Sequence, residues 1–360
     1  MLKILDIYII KKFLGTFFFT LLLVICVIIV FDISEKLEDF IDHKAPLKAI
    51  AFDYYLNFVP YFANMFSPLF IFISVIFFTS KMASNSEIVA ILSGGISFKR
   101  MLRPYLISAL VLALLSYYLN NFLIPEANKN RLAFEEVYYR NKMKNYDFNI
   151  HMKINDNTYI YMTNFVVDLN LGNNFSIERF NKEGELEYKL LSDNVKWDST
   201  INKWSITNYV ERHIDGLNET ITTGVRKDTI LDLKPEEFKR RNNYITTMNF
   251  FELNDFIEEQ KFKGSSQVVD SELEKHQRGA YPFATFVLTI IGVSISSRKV
   301  RGGIGLHIGL GLLISFSYIL FMQISSTFAT NSGFPAVIAV WIPNVLYSLL
   351  ALYLLKKAPK

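Results

Sequence analysis

The chain holds one cysteine, Cys26, in 360 residues, so no intrachain disulfide can brace it and its redox compartment stays open. Its five histidines (His43, His151, His213, His276 and His307) are scattered, with no HExxH pair and no cysteine cluster, which speaks against a zinc site. Gly302-Gly303-Ile304-Gly305 lacks the Lys-Ser/Thr of a Walker A loop, so the chain offers no nucleotide-hydrolysing site of its own. The middles of its apolar runs carry almost no acidic residues, which argues against ion-coupled transport. Clustered acids, histidines or metal ligands at a membrane surface, the marks of a lipid-modifying enzyme, are missing as well. These absences leave a non-enzyme with no cofactor and no nucleic-acid partner, and the energy for any transport has to come from elsewhere. His307, near the start of the fifth apolar run, reads as an interfacial or packed residue rather than a proton relay.

What the chain has in abundance is apolar length. Hydrophobic residues make up 51% and Phe alone supplies 32, a balance rare in a soluble chain of this size. Six runs stand out: Phe13 to Phe31, Tyr54 to Ser80, Leu102 to Ile124, Tyr281 to Ser297, Ile304 to Ser325 and Phe334 to Leu355. Each approaches or exceeds the roughly 20 residues that cross a bilayer core as a helix. They fall three and three around a polar stretch. The expected fold class is a membrane α-helical protein, six transmembrane helices in a 3+3 layout, with an inserted extramembrane β-domain. The expected domains are a first transmembrane half at 1–125, the β-domain with flanking helices at 126–270, and a second transmembrane half at 271–360.

Charge orients this layout. Lys3, Lys11, Lys12, Lys81, Lys99, Arg100, Arg103, Arg298, Lys299, Arg301, Lys356, Lys357 and Lys360 gather on one side, opposed there only by Asp6 and Glu87. The loop from Asp32 to Asp53 on the other side is acidic, and that from Ser326 to Gly333 is uncharged. The positive-inside bias therefore puts both termini in the cytoplasm and residues 126–270 outside. The first run is too long for a signal peptide, Asp6 interrupts its leading segment, and no small-residue cleavage site follows. Residues 1–12 read as a short interfacial helix leading into the first span.

From about Asn145 to Pro235 the period changes to alternation. Thr158 to Met162, Phe175 to Phe180 and Leu186 to Leu190 read as half-buried strands, separated by Leu171-Gly172-Asn173-Asn174 and Asn181-Lys182-Glu183-Gly184. Trp197 and Trp204 flank a hairpin loop. Many short strands with regular turns suggest a sandwich or jellyroll-like fold, with Tyr159, Tyr161, Phe175 and Ile177 as its apolar inward face. Asn249 with Glu252 resembles a capping box, and Leu253, Phe256 and Ile257 mark the buried face of the helix that follows. Such a domain is either an inert cap or a platform whose strand edges join other β-domains.

The polar segment after the second run is the most informative. Ser84 and Glu87 have capping-box spacing, Ile88, Ile91 and Leu92 share one face, and Gly94-Gly95 stop the helix. A short helix hanging below the membrane, here 84–93, is the shape by which a permease engages a separate ATPase; it is equally that of a surface helix with a good cap. Ile33, Leu37, Phe40 and Ile41 extend a helical stripe past the first run, lining a lateral opening or simply ending the helix in solvent. Phe58, Phe62, Phe66 and Phe70 form a second stripe that suits a lipid cavity wall as well as ordinary helix packing.

Taken in order, Leu5-Asp6-Ile7-Tyr8, Ser86-Glu87-Ile88 with Ser93-Gly94-Gly95, Leu273-Glu274-Lys275-His276-Gln277-Arg278 leading to Tyr281-Pro282-Phe283-Ala284, Arg301-Gly302-Gly303-Ile304-Gly305 and Trp341-Ile342-Pro343-Asn344 resemble the lipopolysaccharide export permeases of the LptF/LptG family. The resemblance covers essentially the whole chain, and its opening residues and tryptophan hairpin look more like the LptG branch. It implies a periplasmic β-jellyroll and an inner-membrane complex. The implied partners are a second LptF/LptG-type permease, a cytoplasmic LptB-like ATPase dimer and LptC/LptA-like periplasmic β-jellyroll proteins. The implied activity is extraction of lipopolysaccharide from the inner membrane and its passage to a periplasmic bridge. Ser86, Glu87, Ile88, Ile91, Gly94 and Gly95 would form the ATPase-coupling element. Lys36, Phe62, Phe66, Tyr161 and Ile177 are the candidates for the lipid path. LptG members can carry lysines near the outer end of the first span that contact lipid phosphates; here Asp32, Glu38 and Asp39 crowd that place and Lys36 is the only nearby cation. The alternatives are a permease of another mechanically driven exporter, for lipoproteins or a different glycolipid, or an envelope scaffold that transports nothing.

Overall fold

A computed structural model describes residues 3–139, 148–239, 242–265, 267–298 and 303–358. Asn145, Lys299, Arg301, Gly302 and Lys360, all named above, lie outside them. The chain divides into two compact units, one of Met1–Tyr139, Thr246–Phe251 and Val269–Lys360, the other of Arg140–Ile245 and Glu252–Val268.

The first unit is helical, and six of its helices are long and apolar enough to cross a membrane. Helix α1 runs unbroken over Ile4–Asp42, 39 residues, opened by the Lys3 amide donating to the Asp6 carboxylate at 2.8 Å. The separate interfacial helix expected at 1–12 therefore does not exist. Lys11 and Lys12 make that stretch polar, but polarity does not interrupt a helix; proline or a capping turn does, and the first such stop is the turn at His43–Lys44, where Lys44 holds φ 52° and the Ala45 amide donates to the Phe40 carbonyl. The second run is broken where one span was expected. A short turn α2 (Leu47–Ala49) and π-helical Ile50–Tyr55 lead into α3 (Leu56–Met65), and α4 (Ser67–Ser84) starts afresh after Phe66. Pro68 in the first turn of α4 lacks the N–H that a continuous helix would need there. After α5 (Glu87–Ser93) comes α6 (Phe98–Tyr118), which passes through π-helical Leu119–Leu123 into α7 (Ile124–Tyr138).

α4 is the hub. Phe70, Ile71, Val75 and Phe78 pack with Phe13, Phe17 and Tyr105 from α1 and α6, while Phe72 and Ile76 pack with the second-half helices. Those are α9, α10 and α11 (Gln267–Ser296, Gly303–Ser332 and Ala336–Lys357), preceded by α8 (Phe250–Lys263). Glycine lets α10 come close: a Cβ on Gly311 would stand 2.4 Å from Ile76 Cδ1.

The second unit is built on one six-stranded antiparallel sheet, β1 (Phe148–Asn155), β2 (Thr158–Val166), β3 (Leu171–Phe180), β4 (Leu186–Asp198), β5 (Lys203–Asp215) and β6 (Asn218–Thr229), in sequential order. Trp197 pairs with Trp204 across the expected hairpin, and the Trp204 indole donates to the Leu233 carbonyl at 2.9 Å. Ile160, Met162, Phe165, Phe175, Ile177, Leu190, Val195, Trp204 and Ile206 form its core.

A crease crosses the whole sheet. Ladder pairing skips Asn149 and Thr163, Asn174, Asp193, Asn208 and Val225 in one transverse row, while the pairs on either side keep register. Asn149, Asn174 and Asn208, on alternate strands, hold φ of 57°, 51° and 50°. Asparagine is the non-glycine residue that enters this left-handed region most readily. The core-facing residues step by three across the row, from Met162 to Phe165, Gly172 to Phe175 and Ile206 to Tyr209. Each of these strands thus absorbs an extra residue, as at a β-bulge, without losing its partner.

Candidate functional site

α5 is seven residues long and sits between two membrane-crossing helices. Its start differs from the expected capping box: Ser84 is the last residue of α4, and Ser86, at φ 61°, is the N-cap. The apolar run of α4 extends through Met82 and Ala83, so Ser84 is consumed by that helix and Glu87 stands at the first position of α5 rather than the third. Glu87 instead accepts from Tyr8 Oη at 2.8 Å and from Asn85 Nδ2 at 3.3 Å. Ile88 is 1% exposed and packs in the cluster with Ile9, Met82, Ala83 and Met101, with Ile91 and Leu92 at its margin. Ser86, Val89, Ala90 and Ser93 form the exposed side, and Val89 is 59% exposed. At the far end the Gly94 amide donates to Ala90 and the Gly95 amide to Leu92, with Gly95 at φ 81°. A side chain at Gly95 would be strained by that backbone alone.

A second contact fixes the same corner. Arg100 clasps Asp6 with two parallel bonds, Nη1 to Oδ1 at 2.6 Å and Nη2 to Oδ2 at 2.7 Å. Ser97 caps α6 by accepting the Arg100 amide. The first turns of α1 and α6 and the seat of α5 are therefore one bonded assembly. This corner brings together Ser86, Glu87, Ile88, Ile91, Gly94 and Gly95, which the sequence singled out as one element, with Tyr8, Val89, Ala90 and the Asp6–Arg100 pair, which it did not assign to it. The signal was present in Asp6, the acid that stood out among basic neighbours.

At the other end of α1, Lys36 is 9% exposed and bonded to Asp32 and to the Tyr54 hydroxyl. Its ammonium also lies 4.9 Å from the Tyr54 and Tyr139 ring centres and 5.8 Å from that of Phe58. Tyr55 Oη donates to the other Asp32 oxygen at 3.0 Å. Lys36 is thus satisfied inside the protein. Phe62 is half-buried between Phe58 and Phe66, at 4.0 and 6.4 Å between ring centres. Close by, Tyr61, Asn64, Asn120, Asn128, Arg278 and Tyr281 line a polar cavity of about 220 Å³.

In the sheet, the four residues expected on one face divide. Ile160 pairs with Ile177 and Tyr161 with Ser176, so Phe175 and Ile177 enter the core while Tyr159 and Tyr161 point the other way. The aromatics suggested the wrong parity for β2: Ile160 and Met162 are the core residues. On β4 and β5, Glu211 accepts from Tyr188 at 2.6 Å and from Lys227. Burial disfavours the Glu211 carboxylate, yet these donors outweigh it and set its pKa below the ordinary glutamate value. Burial and the same carboxylate push the Tyr188 hydroxyl up. His307 is packed, as expected, 2.6 Å from Ser80 Oγ.

Six long apolar helices and an inserted antiparallel sheet, with no group of metal-binding side chains among the described residues, define a multi-pass membrane protein with a substantial β-domain. The family described as "Lipopolysaccharide export system permease LptF/LptG" matches residues 7–357. The chain belongs to that family, and is a multi-pass transport permease of the inner membrane rather than an enzyme. No curated protein matches it significantly.

Proposed function

We propose that this chain, as the more LptG-like member of a permease pair, draws lipopolysaccharide from the inner membrane and passes it through a periplasmic, jellyroll-like β-domain to a bridge of similar domains. Both termini and α5 lie on the cytoplasmic side, where a separate LptB-like ATPase dimer supplies the work. α5 is the coupling helix, its Ser86–Val89–Ala90–Ser93 side meeting the ATPase and its Ile88 side seated on α1 and α6. The observation that carries this reading is the corner of the fold where α5, Tyr8, Glu87, Asp6 and Arg100 are tied together. A helix meant only to cross a surface needs no such brace; one that receives a push does. The apolar faces of the membrane helices, nearly free of charge, suit a lipid with several acyl chains better than an ion. Lys36, held by Asp32 and Tyr54, serves the outer end of α1 as a structural cation. Phe62 and Phe66 line the lipid path, and Ile177 belongs to the apolar side of the sheet, where the lipid is handed on. The test is export in cells carrying Glu87→Ala or Gly94→Leu, with expression and insertion checked. Loss of ATPase co-purification and of export is expected; full export with either variant at normal levels would sink the coupling role. A photo-crosslinker at Ile177 should capture lipopolysaccharide only when the assembly has ATP.

A further inference from the structure

We propose that the sheet face opposite the apolar core is a saccharide site, taking neutral sugar residues laid across β2 to β5; the source of those sugars rests on the export function proposed above. A groove of about 560 Å³ runs over this face. Its aromatic part is Tyr159, 43% exposed, and Tyr161, whose ring centre lies 4.7 Å from that of His151. Its polar part is the crease, where Asn174, Asp193 and Asn208 line the groove on three successive strands. Neighbouring strands are about 4.8 Å apart, so this row repeats at a step close to the length of one sugar residue.

The chemistry selects among ligands. The groove's lysine and glutamate, Lys189 and Glu178, pair with each other at 2.7 Å. Asp193 accepts from Asn208 Nδ2 at 2.9 Å, and Asn174 donates to Thr163 at 3.1 Å. With its cation neutralised and a carboxylate in the row, the groove does not favour a phosphate. An acyl chain would cover the amides and the carboxylate without bonding them, which costs free energy. A sugar meets both halves: its C–H face packs on the tyrosine rings, and its hydroxyls donate to carboxylate and amide oxygens and accept from amide nitrogens. The left-handed asparagines are themselves a local departure from regular pairing, of the kind that gathers at binding sites.

The experiment titrates the purified full chain with dephosphorylated core oligosaccharide released from lipopolysaccharide by mild acid, read by calorimetry and saturation-transfer NMR. Saturable binding is expected. Tyr161→Ala should weaken it at least tenfold. So should Asn174→Gly with Asn208→Gly, which keeps the left-handed backbone, and its circular dichroism should match the parent. Binding absent at millimolar saccharide, binding unchanged in both variants, or displacement by a free fatty acid, which carries no sugar, would each overturn the site. Lipid capture at Ile177 reads the opposite face. Capture there without saccharide binding refutes this site and spares the export function; saccharide binding without capture does the reverse.

Discussion

Ile88→Ala and Val89→Asp, neighbours on one seven-residue helix, should fail in opposite ways. Ile88 is 1% exposed among Ile9, Met82 and Met101. Truncation to alanine removes three carbons, worth about 0.8 kcal/mol each in transfer, before any cavity term. Because α5 is short and open on its outer side, the shell can close in, and the total should fall at about 2–3 kcal/mol. Val89 is 59% exposed, so a charge there should move stability by no more than about 0.5 kcal/mol. On a docking face the same charge has to be desolvated without a partner; a penalty of about 2 kcal/mol would weaken ATPase association about thirtyfold. Melting in detergent reads the first effect and co-purification of the ATPase the second. Ile88→Ala melting with the parent while Val89→Asp retains the ATPase at full strength would refute the division of faces.

Asn202→Cys, in a chain with Cys26 replaced by serine, should react with an impermeant thiol reagent only from the periplasmic side; labelling only from the cytoplasm would invert the topology. Lys36→Met leaves Asp32 nearly buried with only tyrosine donors, and should cost about 2–3 kcal/mol in detergent melting. Adding Asp32→Asn should return most of that. Gly95→Ala should cost about 1 kcal/mol by straining its positive φ, measured in the same melts. Glu211 titrates below its ordinary value, so the unfolded chain binds more protons between the two. Its contribution is full above the unfolded pKa and lost as pH falls through the folded one. Glu211→Gln should therefore flatten the acid side of the urea midpoint, followed by tryptophan fluorescence, from about pH 5 to 3.

The six membrane helices were legible because composition decides them: in a bilayer core a run of about twenty apolar residues satisfies its backbone as a helix. The break at Phe66 in the second run was not read. The Trp197–Trp204 hairpin and α8 were legible from local chemistry, and α8 opens with Asn249 accepting the Phe251 amide at 2.9 Å. What could not be read depends on competition between neighbours. Ser84 has the right spacing for a cap, but α4 claims it, and nothing within Ser84 to Glu87 says which helix wins. The faces of β2 follow from pairing with Ile177, a partner that alternation along one strand does not reveal. The crease hid for the same reason. A parity change shared by several strands makes each look like two shorter strands, and only the register shows that the breaks form one line. The Asp6–Arg100 pair joins residues 94 apart, beyond any local pattern.

The unbroken length of α1 has a mechanical consequence. Thirty-nine residues at 1.5 Å each make a rod of about 58 Å, nearly twice the bilayer's hydrocarbon core. Near one end it is bolted to the seat of α5, and near the other it is bolted to Tyr54 through Lys36. Such a rod is a lever: one degree of tilt about the first bolt carries the far tip through about 1 Å. A displacement of a few ångströms at α5 can therefore reach the far end of the helix at once, with no chain of rotamer changes between them.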